Sequence, residues 1–348
     1  MEKVIEISVI IPTRNRAALL DRTINSLLHQ SLSKEKFEVL VVDNGSTDNT
    51  KAVCDKYTAL LNFKYIYAPK PGLHEGRHAG FKAASSDYLT FCDDDIEAFP
   101  TWLETIVNVF NTNKAVALVG GKNYPKYESA PPDWIIQEWT KGNEYGKILS
   151  ALSILDFGEE IKEISPGYVF GCNFSIRKSV LQQCEGFHPD GMPFELIRFR
   201  GDGETYVSKY IHDSGMKALY HPGASVYHFV SSDRMTEAYF KKRYYIQGVS
   251  DAYTFLRNQT NEVKSFVNEE DTNRSLKSRI PPAVKRFIKK ILFIQPPQNK
   301  ASIISEFDKQ KRESHKEGYN YLIHCYQTDM EVKEWVHKKN YLDYKLPS

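Results

Sequence analysis

The stretch Tyr88-Leu89-Thr90-Phe91-Cys92-Asp93-Asp94-Asp95 decides how this chain is read. Its first five residues suit a strand buried within a domain. Three adjacent carboxylates cannot continue such a strand, because a buried charge without a partner is too costly. They must emerge at its carboxyl end, where open α/β sheets place their ligand crevices. Crowded anions repel one another unless a cation offsets them, and hard oxygen donors suit Mg2+ or Mn2+. A divalent ion held by one or two carboxylates keeps positions free for substrate phosphates. The run therefore reads as a metal–diphosphate site, weighed against a plain acidic turn that caps the next helix.

The same alternation extends in both directions. Upstream, Glu6 to Pro12 reads as a strand, residues 17–30 as a helix, and Phe37 to Val42 as a second strand halted by Asp43-Asn-Gly-Ser-Thr-Asp48. A helix from Thr50 to Leu61, a strand from Phe63 to Tyr67 and a helix from Gly76 to Ala84 lead into the acidic run. Downstream come a helix at Thr101 to Phe110, strands at Ala115 to Gly120 and Phe170 to Arg177, and a short helix to Cys184. After Gly201-Asp-Gly-Glu204, an amphipathic helix ends at Gly215, and strands at Lys217 to Tyr220 and Ser225 to Val230 follow. Apolar strands alternating with helices predict an α/β fold with a Rossmann-like, mostly parallel central sheet covered on both faces. Residues 121–165, rich in Tyr, Trp, Pro and Lys, read as a long irregular binding loop. Beyond residue 232 the chain is more polar and mainly helical, with a break expected at Pro281-Pro282 and a linker at 295–299.

Bulk properties narrow the function classes. Lys and Arg number 46 against 44 Asp and Glu, so no field favours nucleic acid. Five scattered cysteines, without a CxxC pair, point to a reducing compartment and away from zinc. The first apolar run carries charges and no signal-peptide core, and no apolar stretch approaches the ~20 residues that span a bilayer. A cytoplasmic location is expected. The basic, amphipathic segment Val284-Lys-Arg-Phe-Ile-Lys-Lys-Ile-Leu-Phe-Ile294 leaves room for peripheral contact with the inner face of the membrane.

Four separated motifs occur in order: Ser8-Val-Ile-Ile-Pro-Thr-Arg-Asn-Arg16, Val41-Val-Asp-Asn-Gly-Ser-Thr-Asp-Asn-Thr50, the acidic run, and the Gly201-Asp-Gly-Glu204 helix followed by Val226-Tyr-His228. Together they resemble inverting glycosyltransferases of family 2, which have the GT-A fold, over residues 5 to 230. The resemblance implies a nucleotide-sugar-binding and catalytic domain at 1–232 with a mostly helical extension at 233–348. It implies transfer of a sugar from a nucleotide-diphosphate donor to a saccharide or lipid-linked acceptor, with Mn2+ or Mg2+ as cofactor. By that resemblance Pro12, Thr13 and Arg14 lie beside the nucleotide base, and Asp43 bonds the base or ribose. Arg77 lies near the nucleotide, where its fork suits a diphosphate, although the family usually has Asn where this chain has His78. Asp95 is the leading metal ligand, Asp94 helps directly or through water, and Asp93 faces the nucleotide ribose or the loop. His228 supplies a further ligand, which favours manganese. His74 and His78 read as surface histidines.

A single inverting displacement needs a carboxylate opposite the leaving diphosphate to take the acceptor proton. Asp202 and Glu204 are the candidates. The family usually shows Glu-Asp, with the Asp eleven residues before the helix-ending glycine; that count from Gly215 lands on Glu204, which is favoured. Both also suit a helix N-terminus on dipole grounds alone. Phe194-Glu-Leu-Ile-Arg-Phe-Arg200 mixes aromatics and Arg as an acceptor loop would. Trp134 and its aromatic neighbours Trp139, Tyr124 and Tyr127 suit an acceptor groove or loop packing equally. By resemblance Asn173 bonds a donor-sugar hydroxyl. Two other classes compete. A metal-dependent nucleotidyl- or phosphotransferase would also need strand-end carboxylates, but the chain has no GxxxxGKS loop. A non-catalytic nucleotide-sugar-binding scaffold would need a lost base, and Asp202 and Glu204 are both present.

Overall fold

The structure, a computed structural model, describes residues 4–266 and 305–343. Strand β1 (Ile7–Thr13), strand β2 (Phe37–Asp43) and strand β4 (Tyr88–Cys92) form the centre of the main sheet. Every residue of β1 and β2 is buried, which is why both read as unbroken apolar runs rather than alternating ones. Parallel pairing aligns Thr13 with Asp43, so both strands end at one level, and β4 runs parallel on the other side of β1. Helices α1 (Ala17–Leu27) and α2 (Thr50–Asp55) and strand β3 (Asn62–Tyr67) complete the first repeats. Helix α2 stops well short of Leu61. Helix α3 (Leu73–Ala83) returns the chain to β4. A Cβ on Gly80 would lie 2.3 Å from Ile10 Cγ2, so α3 lies directly on β1.

Beyond the acidic run come strand β5 (Ile96–Ala98), helix α4 (Trp102–Thr112) and strand β6 (Val116–Gly120). Residues 121–165 are not an irregular loop. They hold strand β7 (Asn123–Tyr127), helix α5 (Asp133–Lys141), and the short strands β8 (Lys147–Leu149), β9 (Ile154–Asp156) and β10 (Lys162–Ile164). Strands of three residues show no period for a sequence reading to detect, although β8 and β9 pair with each other across a short connection. Strand β11 (Asn173–Arg177), helix α6 (Lys178–Gln183), helix α7 (Glu204–Asp213), strand β12 (Lys217–Tyr220) and strand β13 (Val226–Val230) finish the α/β part. The main sheet runs β10-β12-β6-β11-β4-β1-β2-β3, with β10 and β11 antiparallel to their neighbours. A second sheet runs β5-β13-β7-β9-β8.

Helices α8 (Glu237–Phe266), α9 (Glu306–Thr328) and α10 (Met330–Val336) follow. They share an apolar core with the loop before α7, in which Phe199, Tyr253, Trp335 and Tyr341 are buried. The expected break at 281–282, the linker at 295–299 and the basic segment 284–294 lie outside the described residues. Among the described residues no helix is long and apolar enough to cross a membrane.

Helices α8 and α9 cross at two glycines. A Cβ on Gly248 would sit 2.0 Å from the His315 carbonyl, and one on Gly318 would sit 1.9 Å from that of Tyr245. Backbone cannot yield as a side chain tip can, so Gly318→Ala should force the helices apart. The expected cost is about 1–3 kcal/mol, seen as a Tm several degrees lower in thermal melts. An unchanged Tm would refute so close a crossing.

Candidate functional site

The acidic run leaves the carboxyl end of β4 beside the end of β1, and the two strand ends divide it among partners. Thr13 Oγ1 donates to Asp94 Oδ2 at 2.6 Å. Arg16, just past β1, straddles two carboxylates, with Nη1 2.6 Å from Asp94 Oδ1 and Nη2 2.6 Å from Asp95 Oδ2. The second sheet brings a further cation. Antiparallel pairing sets His228 opposite Ile96, and the Phe229 N–H donates to the Asp95 carbonyl. That register puts His228 Nε2 3.4 Å from Asp95 Oδ1, while Arg234 Nη1 lies 3.6 Å from Oδ2.

Asp93, Asp95 and His228 offer ligand atoms that all lie within 4.8 Å of one another. Asp95 Oδ1 and His228 Nδ1 are buried with no hydrogen-bond partner. Orphaned buried atoms of this kind are costly unless something satisfies them. Two carboxylates and one imidazole make a donor set that fits Mn2+, and Mg2+ less well. Asp93, expected beside the ribose or the loop, lies in this cluster that could hold a metal ion. Electrostatics separates the three neighbours. Burial, then the neighbouring Asp95, pushes the Asp93 carboxyl up, and burial pushes Asp94 up to about 7. Burial also opposes charge on Asp95, but His228, Arg16 and Arg234 together outweigh it and hold that carboxyl well below the usual range.

Across the sheet end, Arg77 on α3 is buried and pairs with Glu204, Nη1 to Oε2 3.1 Å. Glu204 opens α7, and its Oε1 accepts from the Gly171 N–H at 3.3 Å. A Cβ on Gly171 would lie 2.2 Å from Arg77 Nη2 and 2.9 Å from Glu204 Oε1, so this pair needs a glycine beside it. The Glu204 side chain remains 28% exposed. Asp202 differs sharply. Its side chain is only 8% exposed, with Oδ1 2.6 Å from His188 Nδ1 and Oδ2 accepting from Thr254 Oγ1 at 2.7 Å. Both its oxygens are engaged inside the protein.

The remaining expected residues separate in the same way. Pro12 and Thr13 are buried at the end of β1, and Arg14 is exposed just beyond. Asp43 is buried, accepting from the Ser46 N–H and from Tyr65 Oη. Asn173 is spent on a buried network: Oδ1 accepts from Trp102 Nε1, and Nδ2 donates to Asn123 Oδ1 and the Ala224 carbonyl. Trp134 packs edge-on against Phe240 of α8 and Phe307 of α9, which ties α5 to the helical part. His74 and His78 are not surface residues but fully buried, and His78 Nε2 accepts from the Phe187 N–H. Sequence reasoning missed Arg16, Arg234 and Asp190. Arg16 closes a quoted motif, so its charge was a usable signal; the other two lie in loops with no local pattern.

Residues 8–184, half of the chain, match the family model for glycosyl transferase family 2, and the chain belongs to that family. Its fold is GT-A. A mannosyltransferase from Pyrobaculum calidifontis, in complex with GDP-Man and Mn2+, aligns with a TM-score of 0.50 at 14% identity, over 98% of this chain and 86% of that one. Validoxylamine A glucosyltransferase of Streptomyces hygroscopicus subsp. jinggangensis is 41% identical over 103 residues, 29% of this chain and 24% of the relative. Chondroitin synthase of Escherichia coli is 28% identical over 217 residues, 60% of this chain and 29% of the relative. The matched segments make up under a third of these relatives' lengths.

Burial has a consequence for pH. It pushes the fully buried His74 down to about 4, against a free value near ~6.5. The unfolded chain then takes up this proton first, so stability present above pH ~6.5 is lost as pH falls towards 4. His74 alone contributes a loss of about 3 kcal/mol across that window. Urea titrations at pH 7 and pH 4.5 should therefore show a smaller difference for His74→Gln than for wild type; equal differences would refute the assignment.

Proposed function

We propose that this chain transfers a sugar from a nucleoside-diphosphate sugar to a hydroxyl of a saccharide or lipid-linked acceptor, inverting the anomeric carbon, in assembly of a polysaccharide or glycoconjugate. Residues 1–232 form the catalytic domain and 233–348 the extension. A cytoplasmic location, with or without contact at the inner membrane face, belongs to the same proposal. The observation that carries it is the convergence of Asp93, Asp95 and His228 within 4.8 Å at the end of β4. Membership of glycosyl transferase family 2 supports it.

When bound by these residues, Mn2+ or Mg2+ would offset the negative charge left on the departing diphosphate. The chain's own residues do the rest. Pro12, Thr13, Arg14 and Asp43, at the ends of β1 and β2, border the nucleotide. Asp94, fixed by Thr13 and Arg16, holds that border to the metal ligands. Glu204 is the base. It takes the acceptor proton as the acceptor oxygen bonds to the anomeric carbon and the bond to the diphosphate breaks. Arg77 and the Gly171 N–H fix the direction of its carboxylate. Asp202, locked between His188 and Thr254, is assigned to holding the loop before α7.

Two variants separate these roles. Glu204→Gln should lower kcat by about 10²–10⁴ with nucleotide binding kept, and also cost some Tm because the buried Arg77 loses its charged partner. Asp202→Asn should lower Tm by leaving buried partners unsatisfied, with kcat of the folded protein nearly unchanged. The reverse pattern would exchange the assignments. Thermal shifts with UDP-, GDP- and dTDP-sugars and Mn2+ test the reading itself. One nucleotide class should stabilise wild type and not Asp95→Ala; no response to any class would sink the proposal.

A further inference from the structure

Next to the assigned base lies a second cluster of charge that the transfer step does not use. Asp190 lies within it, its side chain 13% exposed. Its Oδ1 is 2.5 Å from Arg200 Nη2, and Arg200 Nε donates to Ser250 Oγ on α8 at 3.1 Å. The Asp190 carboxylate also abuts residue 203: a Cβ on Gly203 would lie 2.8 Å from its Oδ2. Asp190 and Glu204 thus lie on either side of one glycine. The charges acting on Asp93 include Asp95, Arg77, His228 and Arg16, whereas those acting on Asp190 include Arg200, Arg77 and Arg243. Arg77 acts on both Asp93 and Asp190 and so is common to the two clusters.

The arginines are not matched by carboxylates. Glu204 takes Arg77 and Asp190 takes Arg200. Arg243 has no ion pair or hydrogen bond among the described residues, and its Nε is buried without a partner. Its direction follows from helix geometry. On α8, Arg243, Ser250 and Thr254 are spaced by seven and four residues and share one face. Ser250 holds Arg200 and Thr254 holds Asp202, so this face is turned to the loop that precedes Glu204. A separate groove of about 450 Å³ on α8 is lined by Phe194, Lys241, Lys242, Tyr245, Ser314 and Glu317, two cations against one carboxylate. Residue 243 is half-exposed, so its fork can be reached from solvent while its Nε lies buried without a partner, and a planar guanidinium fork is suited to an oxyanion.

We propose that Arg243 forms an oxyanion subsite on the acceptor side of Glu204, and that the acceptor carries a phosphate or carboxylate that docks there. This rests on the glycosyl-transfer reading above for the sense of "acceptor side". The same chemistry would be met by the donor's own diphosphate, and the test must separate the two. Arg243 would be a specificity residue rather than a catalytic one.

The full chain, loaded with Mn2+ and the nucleoside diphosphate that stabilises it best, is titrated by ligand-observed NMR in phosphate-free, low-salt buffer. The probes are glycerol 1-phosphate against glycerol, and glucuronate against glucose. At least one anion should bind more tightly than its neutral twin. Arg243→Ala should weaken that anion by about tenfold or more and Arg243→Lys by less, with nucleotide affinity unchanged. The lysine variant keeps the charge and guards against an alanine variant that does not fold. Equal binding of anions and neutral twins, or anion binding indifferent to both substitutions, would overturn the subsite. A parallel loss of nucleotide affinity in Arg243→Ala would also overturn it, by assigning the guanidinium to the donor. If no nucleotide binds wild type, the glycosyl-transfer reading fails on its own. The same titration, run without nucleotide, then decides the Arg243 subsite by the same criteria.

Discussion

Three adjacent carboxylates at the end of a buried strand are the constraint on which this structure depends. Asp94 and Asp95 are almost wholly inaccessible. Like charges so placed cannot all ionise unless cations reach them from several directions. Here Arg16 comes from the end of β1, His228 from β13, Arg234 from the turn after β13, and Arg77 from α3. Each comes from a different element, so the compensation requires the topology. Strand β1 must lie beside β4, and β13 must return antiparallel to β5 in the register that puts His228 next to Asp95. Were β13 to slip by one residue, Tyr227 or Phe229 would take the place of His228.

The two carboxylates before and at the start of α7 are the same constraint resolved in two ways. Asp202 is enclosed, and every oxygen it has is satisfied by His188 or Thr254. Glu204, two residues on, keeps part of its side chain in solvent and draws on one guanidinium and one backbone N–H. A group that must accept a proton from an incoming molecule cannot have all its acceptor positions filled by its own protein. The contrast favours Glu204 on geometry, independently of the count back from Gly215.

The central sheet was legible because β1 and β2 are buried throughout, and β4 from Leu89 onward, which leaves nearly continuous apolar runs. The acidic run was legible because no strand tolerates it. The second sheet was not, since β5, β8 and β9 have three residues each, and β5 and β9 pair with strands far along the chain. In the site, residue type was readable and orientation was not. Asp93, Asp94 and Asp95 are identical in sequence and differ only in which neighbour their side chains meet. Asn173 and Trp134 look like ligand-binding residues by chemistry, yet the first is consumed by Trp102 and Asn123 and the second by Phe240 and Phe307. His74 and His78 have the polarity of surface residues, and only packing against β-sheet and loop makes them core.

The family match ends at residue 184, and that boundary divides the site. Before it lie the strand ends, Asp43, Arg77 and the acidic run. After it lie Asp190, Arg200, Glu204, His228 and Arg234. The helical extension acts on this second half. Thr254 of α8 fixes Asp202, Ser250 fixes Arg200, and Trp335 of α10 donates to the Phe199 carbonyl at 2.7 Å. The loop that delivers Glu204 is therefore shaped less by the sheet than by α8 and α10, whose core it shares. A chain built this way can keep its strand ends constant and alter what approaches Glu204 by changing one helical face. The unpaired Arg243 lies on that face.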